Sequence, residues 1–255
     1  MRELGKLIIE RSNKKIYLNE DTNTITKKFN SEIENKSVVL SEALSQARVE
    51  ETGLSVPALK EVFKEGEDWC VSYEFVKGKT LEEMIESDKA HLDEYLNKLV
   101  DIQIDIQKVK CPSLPNLTNK LQERISETRD YIEATTRYEL HMRLGSMPKH
   151  NKLCHCDMNP SNIIFDEEGK YHIVDWAHAC QGNASADVAM TYLYFMLKNE
   201  EDIAKKYLDL FCKKTDTAIQ YIQKWIPIVA ATMSLKKEGK ERDYLVSLTD
   251  VCEYE

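Results

Sequence analysis

No stretch of the 255 residues is apolar over the length a bilayer demands, and Met1 to Glu10 carries no apolar run ahead of a small-residue cleavage site. Neither a membrane span nor a secretory leader is expected, and a cytoplasmic location is. Basic excess is missing too: 35 Lys and Arg stand against 44 Asp and Glu, a net charge of -9. A general nucleic-acid binder needs a basic face, so that class is set aside. The acidity suits a cationic substrate, though in many proteins it serves solubility alone. Seven cysteines, scattered and odd in number, do not make a disulfide framework. Cys154-His155-Cys156 has no second Cys or His pair at zinc-finger spacing, although His178 and Cys180 lie downstream. Buried or half-buried thiols are expected there rather than zinc. Repeats and low-complexity linkers are lacking. With 42% hydrophobic residues, the chain has material for one large domain or two lobes.

What is present centres on Leu153 to Asp175. Two apolar runs, Asn162 to Phe165 and Tyr171 to Val174, flank the Gly-containing segment Asp166 to Lys170. This pattern predicts a short β-hairpin. Asp157 and Asn162 stand at its start and Asp175 just past its end. Antiparallel strands return to their origin, so the three side chains are expected to share one mouth. Two carboxylates and an amide oxygen form a hard site suited to Mg²⁺, which takes few protein carboxylates and completes its shell with substrate phosphates.

His155-x-Asp157-x-x-x-x-Asn162 is also the spacing of a kinase catalytic loop, with Asp175 at the place of the metal-binding Asp. Asp175-Trp176-Ala177 replaces Asp-Phe-Gly, and no activation segment ending in Ala-Pro-Glu follows, which disfavours a protein kinase. With Asn159-Pro160-Ser161-Asn162 in the loop and the later run Gly182 to Ala189, the stretch resembles the aminoglycoside phosphotransferase and choline kinase branch of the kinase-like fold. Such families usually carry Gly where this chain has Cys156. The resemblance implies an α+β, bilobal protein-kinase-like fold. A small β-rich N-lobe (1–76) would bind nucleotide. A larger, mostly helical C-lobe (77–255) would supply catalysis and acceptor binding.

Leu7 to Ile9, Lys15 to Leu18 and Thr24 to Phe29 read as strands, with a turn at Asn19 to Asn23. The resemblance places a phosphate-gripping Lys on the third. Lys27 fits because it shares the face of Ile25, whereas Lys28 points away. The glycine-free connection Glu10 to Lys14 lacks a glycine loop and leaves Ser12 and Asn13 to meet phosphate. Ser37 to Glu51 reads as a helix with an apolar stripe of Val39, Leu40, Ala43, Leu44 and Ala47. Glu42 lies where the partner of the strand Lys is implied, with Glu50 and Glu51 as alternatives. Trp69 to Val76 reads as a strand between the lobes. There the backbone of Tyr73, Glu74, Phe75 and Val76 would meet an adenine edge.

In the second half, Thr80-x-x-Glu83 is a capping box. Helices are expected over His91 to Val109, in one or two pieces over Thr118 to Arg143, and over Ala184 to Leu197. Two more follow over Glu201 to Lys213 and Thr217 to Leu235. Asp187 lies among apolar residues and must be hydrogen-bonded. By resemblance it would brace the catalytic loop or His155. Asp250, Glu253 and Glu255 could close over a cationic acceptor. The implied activity is transfer of a γ-phosphoryl group from ATP or GTP to a hydroxyl of a small molecule, such as an aminoglycoside or another cationic metabolite. Asp157 would be the base, and Asn162 and Asp175 the Mg²⁺ ligands. The rival reading is a kinase-like binding or regulatory protein of weak activity. No nucleic-acid partner is expected, and the sequence leaves the oligomeric state open.

Overall fold

The structure is a computed structural model that describes residues 2–250. In chain order its elements are β1 (Lys6–Glu10), β2 (Lys14–Asn19), β3 (Thr24–Phe29), α1 (Lys36–Glu50), β4 (Leu59–Glu65), β5 (Asp68–Glu74), β6 (Gly78–Thr80) and α2 (Leu81–Ser87). There follow α3 (Leu92–Lys108), α4 (Leu117–Glu127), α5 (Ala134–Ser146), β7 (Lys152–Cys154), β8 (Ile163–Asp166), β9 (Tyr171–Ile173) and β10 (Cys180–Gly182). The chain continues with α6 (Ala184–Leu197), α7 (Glu201–Thr215), α8 (Ile219–Gln223), α9 (Ile226–Ser234) and α10 (Gly239–Ser247). It divides into two compact units, Met1–Ser87 with Pro160–His178, and Asp88–Asn159 with Ala179–Glu255.

The first unit is built on an antiparallel five-stranded sheet in the order β1-β2-β3-β5-β4. Its alternating residues bury one face: Phe29, Val71 and Tyr73 pack with Val39 and Ala43 of α1, and Ile25, Leu59, Val62 and Trp69 close the cluster. Helix α1 starts where the Asn35 side chain accepts the Val38 amide. It buries only part of the expected stripe, Val39 and Ala43. Leu40 and Leu44 are 39% and 49% exposed, whereas Glu42, Ser45 and Gln46 are buried. The helix is turned because Glu42 reaches Lys27 and Gln46 donates to the Pro57 carbonyl. The capping box forms as expected: the Glu83 amide donates to Thr80 Oγ1 (3.1 Å) and the Thr80 amide to Glu83 Oε2 (2.7 Å).

The expected hairpin is β8–β9, paired Ile163↔Ile173 to Phe165↔Tyr171, with β6 on its other edge. Asp166 Oδ1 accepts the Glu168 and Lys170 amides to shape the turn. His172 lies between Asp166 Oδ2 (2.8 Å) and Ser55 Oγ (3.3 Å), and the Ile173 amide donates to the Ser55 carbonyl. These bonds pin the hairpin to the loop after α1.

The second unit packs α6 against α7 and α9, and α3 against α7. Leu99, Ile106, Leu193, Phe195, Tyr207 and Val229 are buried there. Thr118 to Arg143 is two helices. Helix α10 ends at Ser247. His91 has a partner the sequence did not suggest, Asp88 at 2.7 Å. Strands β7 and β10 form a small antiparallel ladder that sets Cys154 opposite Cys180.

Candidate active site

Sheet alternation turns Lys27 toward α1, where its Nζ lies 2.7 Å from Glu42 Oε1 and 2.8 Å from Asp175 Oδ1. The Tyr73 hydroxyl donates to the same Glu42 oxygen at 3.0 Å, and the Lys27 ammonium sits 5.5 Å from the Tyr73 ring centre. Burial alone would push the Lys27 ammonium down, but the charges of Asp175 and Glu42 outweigh it and hold its pKa above the ordinary value. Burial first, and Glu42 second, push the Tyr73 hydroxyl well up, so it remains a donor. The alternatives go elsewhere: Lys28 pairs with Asp68 at 3.4 Å, and Glu50 accepts the Leu59 amide.

Lys27, Tyr73 and Asp175 border a cavity of ≈ 460 Å³ within the first unit. Ile16, Ile25, Ile164 and Val174 give it apolar walls, and Asn162, Asp175 and Lys27 a polar end. Asn162 is buried, its carbonyl accepting the Val174 amide at 3.0 Å, so the two ends of the hairpin are tied together. Asp175 has φ +64°, a left-handed backbone that swings it out of the strand direction. Trp176, next to it, is 1% exposed and donates its indole N–H to the Ile173 carbonyl.

Tyr73, Glu74, Phe75 and Val76 all line the cavity. The Glu74 and Phe75 amides already donate to the Ala58 and Asn23 carbonyls. Ser12 is not brought to this cavity. It lines a second hollow with Lys15, Lys28 and Asp68. Arg11 and Lys14, which line both hollows, are the basic groups at that end of the nucleotide-sized cavity. Sequence reading missed them, although both lie in the glycine-free connection Glu10 to Lys14.

In the second unit Asp157 is exposed, and its carbonyl accepts from Asn159 Nδ2 at 3.0 Å. Behind it, the Cys156 and His155 amides donate to the fully buried Asp187 carboxylate at 2.7 and 3.2 Å. Burial raises the Asp187 pKa, opposed by the facing His155 and by these amides. Cys156 has φ +62°, the conformation that favours Gly at this place. Asp250 is exposed; Glu253 and Glu255 lie outside the described residues.

Asn162 and Asp175 fit a hard divalent cation by their donor chemistry. Among the described residues no group of three or more His, Cys, Asp or Glu side chains is gathered to cage a metal.

Residues 9–221 match the model of the phosphotransferase enzyme family. The chain belongs to that family. As a member it is a small-molecule kinase with a hydroxyl acceptor. No curated protein matches it in sequence. Among solved structures it is similar to a thermostable mutant of aminoglycoside phosphotransferase APH(4)-Ia in ternary complex with ADP and hygromycin B, at TM-score 0.73 and 11% identity. That match covers 96% of this chain and 91% of the other. The choline kinase LicA from Streptococcus pneumoniae aligns at TM-score 0.65 and 16% identity, over 96% of this chain and 90% of that one. An aminoglycoside-3'-phosphotransferase of type VIII aligns at 0.61 and 13%, over 96% and 92%. At such identities the likeness establishes the kinase-like fold, a β-rich N-terminal region followed by a helical C-terminal one. No helix among the described residues is long and apolar enough to cross a membrane.

Proposed function

We propose that this phosphotransferase moves the γ-phosphoryl group of ATP, or of GTP, to a hydroxyl of a cationic small molecule in the cytoplasm. Residues 1–76 serve the nucleotide together with the hairpin, and 77–255 also supply the catalytic loop and the acceptor site. The carrying observation is Lys27 held between Glu42 and Asp175 at the end of a cavity that Asn162 also lines. The base of the nucleotide lies between the aliphatic walls, with its edge at the backbone of Val76. Lys27 meets the α- and β-phosphates, and Arg11 and Lys14 do at the mouth what glycine-loop amides do elsewhere. Mg²⁺ on Asn162 and Asp175 would neutralise phosphate charge. Asp157 accepts a hydrogen bond from the acceptor hydroxyl, aligns its oxygen, and takes the proton late. A loose transition state asks little more of a base, so positioning and charge do most of the work. Asp187 and His155 hold the backbone that carries Asp157.

The test is a phosphorylation screen of aminoglycosides, choline-like amines and sugars with both nucleotides, with and without Mg²⁺. Asp157→Asn should lower kcat by about 10³-fold or more while nucleotide affinity stays within about threefold. Near-normal turnover in that variant would remove Asp157 from the reaction. Nucleotide binding without transfer to any acceptor would favour the regulatory reading.

A further inference from the structure

The second unit gathers thiols that phosphoryl transfer does not use. Cys154 and Cys180 face each other across β7–β10, and both are fully buried. Cys156, two residues beyond Cys154, is half-buried; its thiol donates to the Cys154 carbonyl at 3.8 Å and also lies within hydrogen-bonding reach of Cys180. Its left-handed backbone turns the chain just past the end of β7. Lys120 of α4 also hydrogen-bonds the Cys180 sulfur. Helix α4 comes this close because residue 182 is glycine: a Cβ there would stand 2.5 Å from Leu117 Cβ. A partly buried thiol, a fully buried one bonded to it, and an ammonium on the second sulfur are the parts of a reactive thiol pair rather than of inert core cysteines.

We propose that Cys156 and Cys180 form a redox-active dithiol, which a peroxide oxidises to an intrachain disulfide and a thiol reductant restores. The electrostatics agree. The Cys156 hydrogen bond, against burial and with help from Lys120 and Arg124, lowers the Cys180 thiol to about 7. The same bond and burial push Cys156 up. The pair therefore holds one proton near neutrality. Peroxide meets Cys156, the one of the pair that is not fully buried. As its proton passes to Cys180, the Cys156 sulfur attacks one peroxide oxygen, the O–O bond breaks, and hydroxide leaves. That hydroxide takes the proton from Cys180. The Cys180 thiolate then attacks the Cys156 sulfenic sulfur, the S–S bond forms, and the S–O bond breaks with loss of a second hydroxide. Two electrons pass from the sulfurs to the peroxide. Cys156 directly precedes Asp157, so on the kinase reading above the link also moves the base.

The full chain is treated with hydrogen peroxide, alkylated, and mapped by peptide mass without reduction. One disulfide joining Cys156 to Cys180 is expected, lost with dithiothreitol, and formed faster as pH rises through about 7. Lys120→Met should move that pH profile upward, which a merely structural lysine would not do. Cys180→Ser and Cys156→Gly, the latter suited to the φ of +62°, should each abolish the link, and Cys212→Ser should keep it. A Cys154–Cys180 link, or no link in the folded protein, overturns the dithiol. Turnover is measured on the same samples and is expected to fall about tenfold or more on complete crosslinking. Unchanged turnover would overturn the coupling to Asp157, while the mass map reads the dithiol whatever acceptor the enzyme uses.

Discussion

Lys27 is 12% exposed in its side chain and holds two carboxylates at once, Glu42 and Asp175. A buried ion pair repays its desolvation only when its geometry is held and its other polar atoms are satisfied. Tyr73 does part of that holding, through its hydroxyl on Glu42 and its ring beneath the ammonium. Tyr73→Phe keeps the ring and removes one hydrogen bond to a charged group, a loss of about 1.5–3 kcal/mol. We expect kcat/KM for nucleotide to fall by about tenfold or more, with a matching drop in urea stability. If both stay unchanged, Tyr73 is only packing. At this scale the sequence was a partial guide. Lys27 could be chosen over Lys28 from strand alternation. Glu42, Glu50 and Glu51 stayed open because helical spacing does not say which way a helix is turned.

Among the elements, the hairpin and α1 contrast. The hairpin was legible because its alternation, its Asp and Gly turn and its short length are local signals. Helix α1 was legible as a helix, but its buried face only in part, through Val39 and Ala43. Two aliphatic side chains stay outside because the polar contacts of Glu42 and Gln46 are made on the other side. Strand β6 was not anticipated: three residues carry no periodicity, and it exists by pairing with β8. That pairing requires glycine at 78, where a Cβ would lie 2.1 Å from the Phe165 carbonyl oxygen. Gly78→Ala must therefore part β6 from the hairpin that carries Asn162. The expected cost is about 2 kcal/mol or more, read as a lower denaturation midpoint, and the chain should still fold. A midpoint equal to wild type would show that the ladder yields freely.

For the whole molecule, the first unit is discontinuous: Met1–Ser87 is completed by Pro160–His178. Nucleotide in its cavity would touch both segments and stabilise the native state by mass action. At about a hundredfold excess over Kd this amounts to about 2.7 kcal/mol. For a chain of this size that is a rise in Tm of about 5–10 °C. Scanning fluorimetry should show the rise with ATP and Mg²⁺, a smaller one with ATP alone, and no Mg²⁺-dependent part in Asp175→Asn. A rise indifferent to Mg²⁺ in the wild-type chain would count against Asp175 as a ligand.

The sequence alone determined the catalytic-loop spacing, the hairpin, the capped start of α2 and the apolar helix α6, because turn chemistry, capping and side-chain periodicity act over a few residues. Only the tertiary structure decided that Lys27 takes both Glu42 and Asp175, that Arg11 and Lys14 rather than Ser12 border the cavity, and that Cys180 meets Cys156. Those pairings join residues far apart in the chain, and packing chooses among partners that local sequence leaves equivalent.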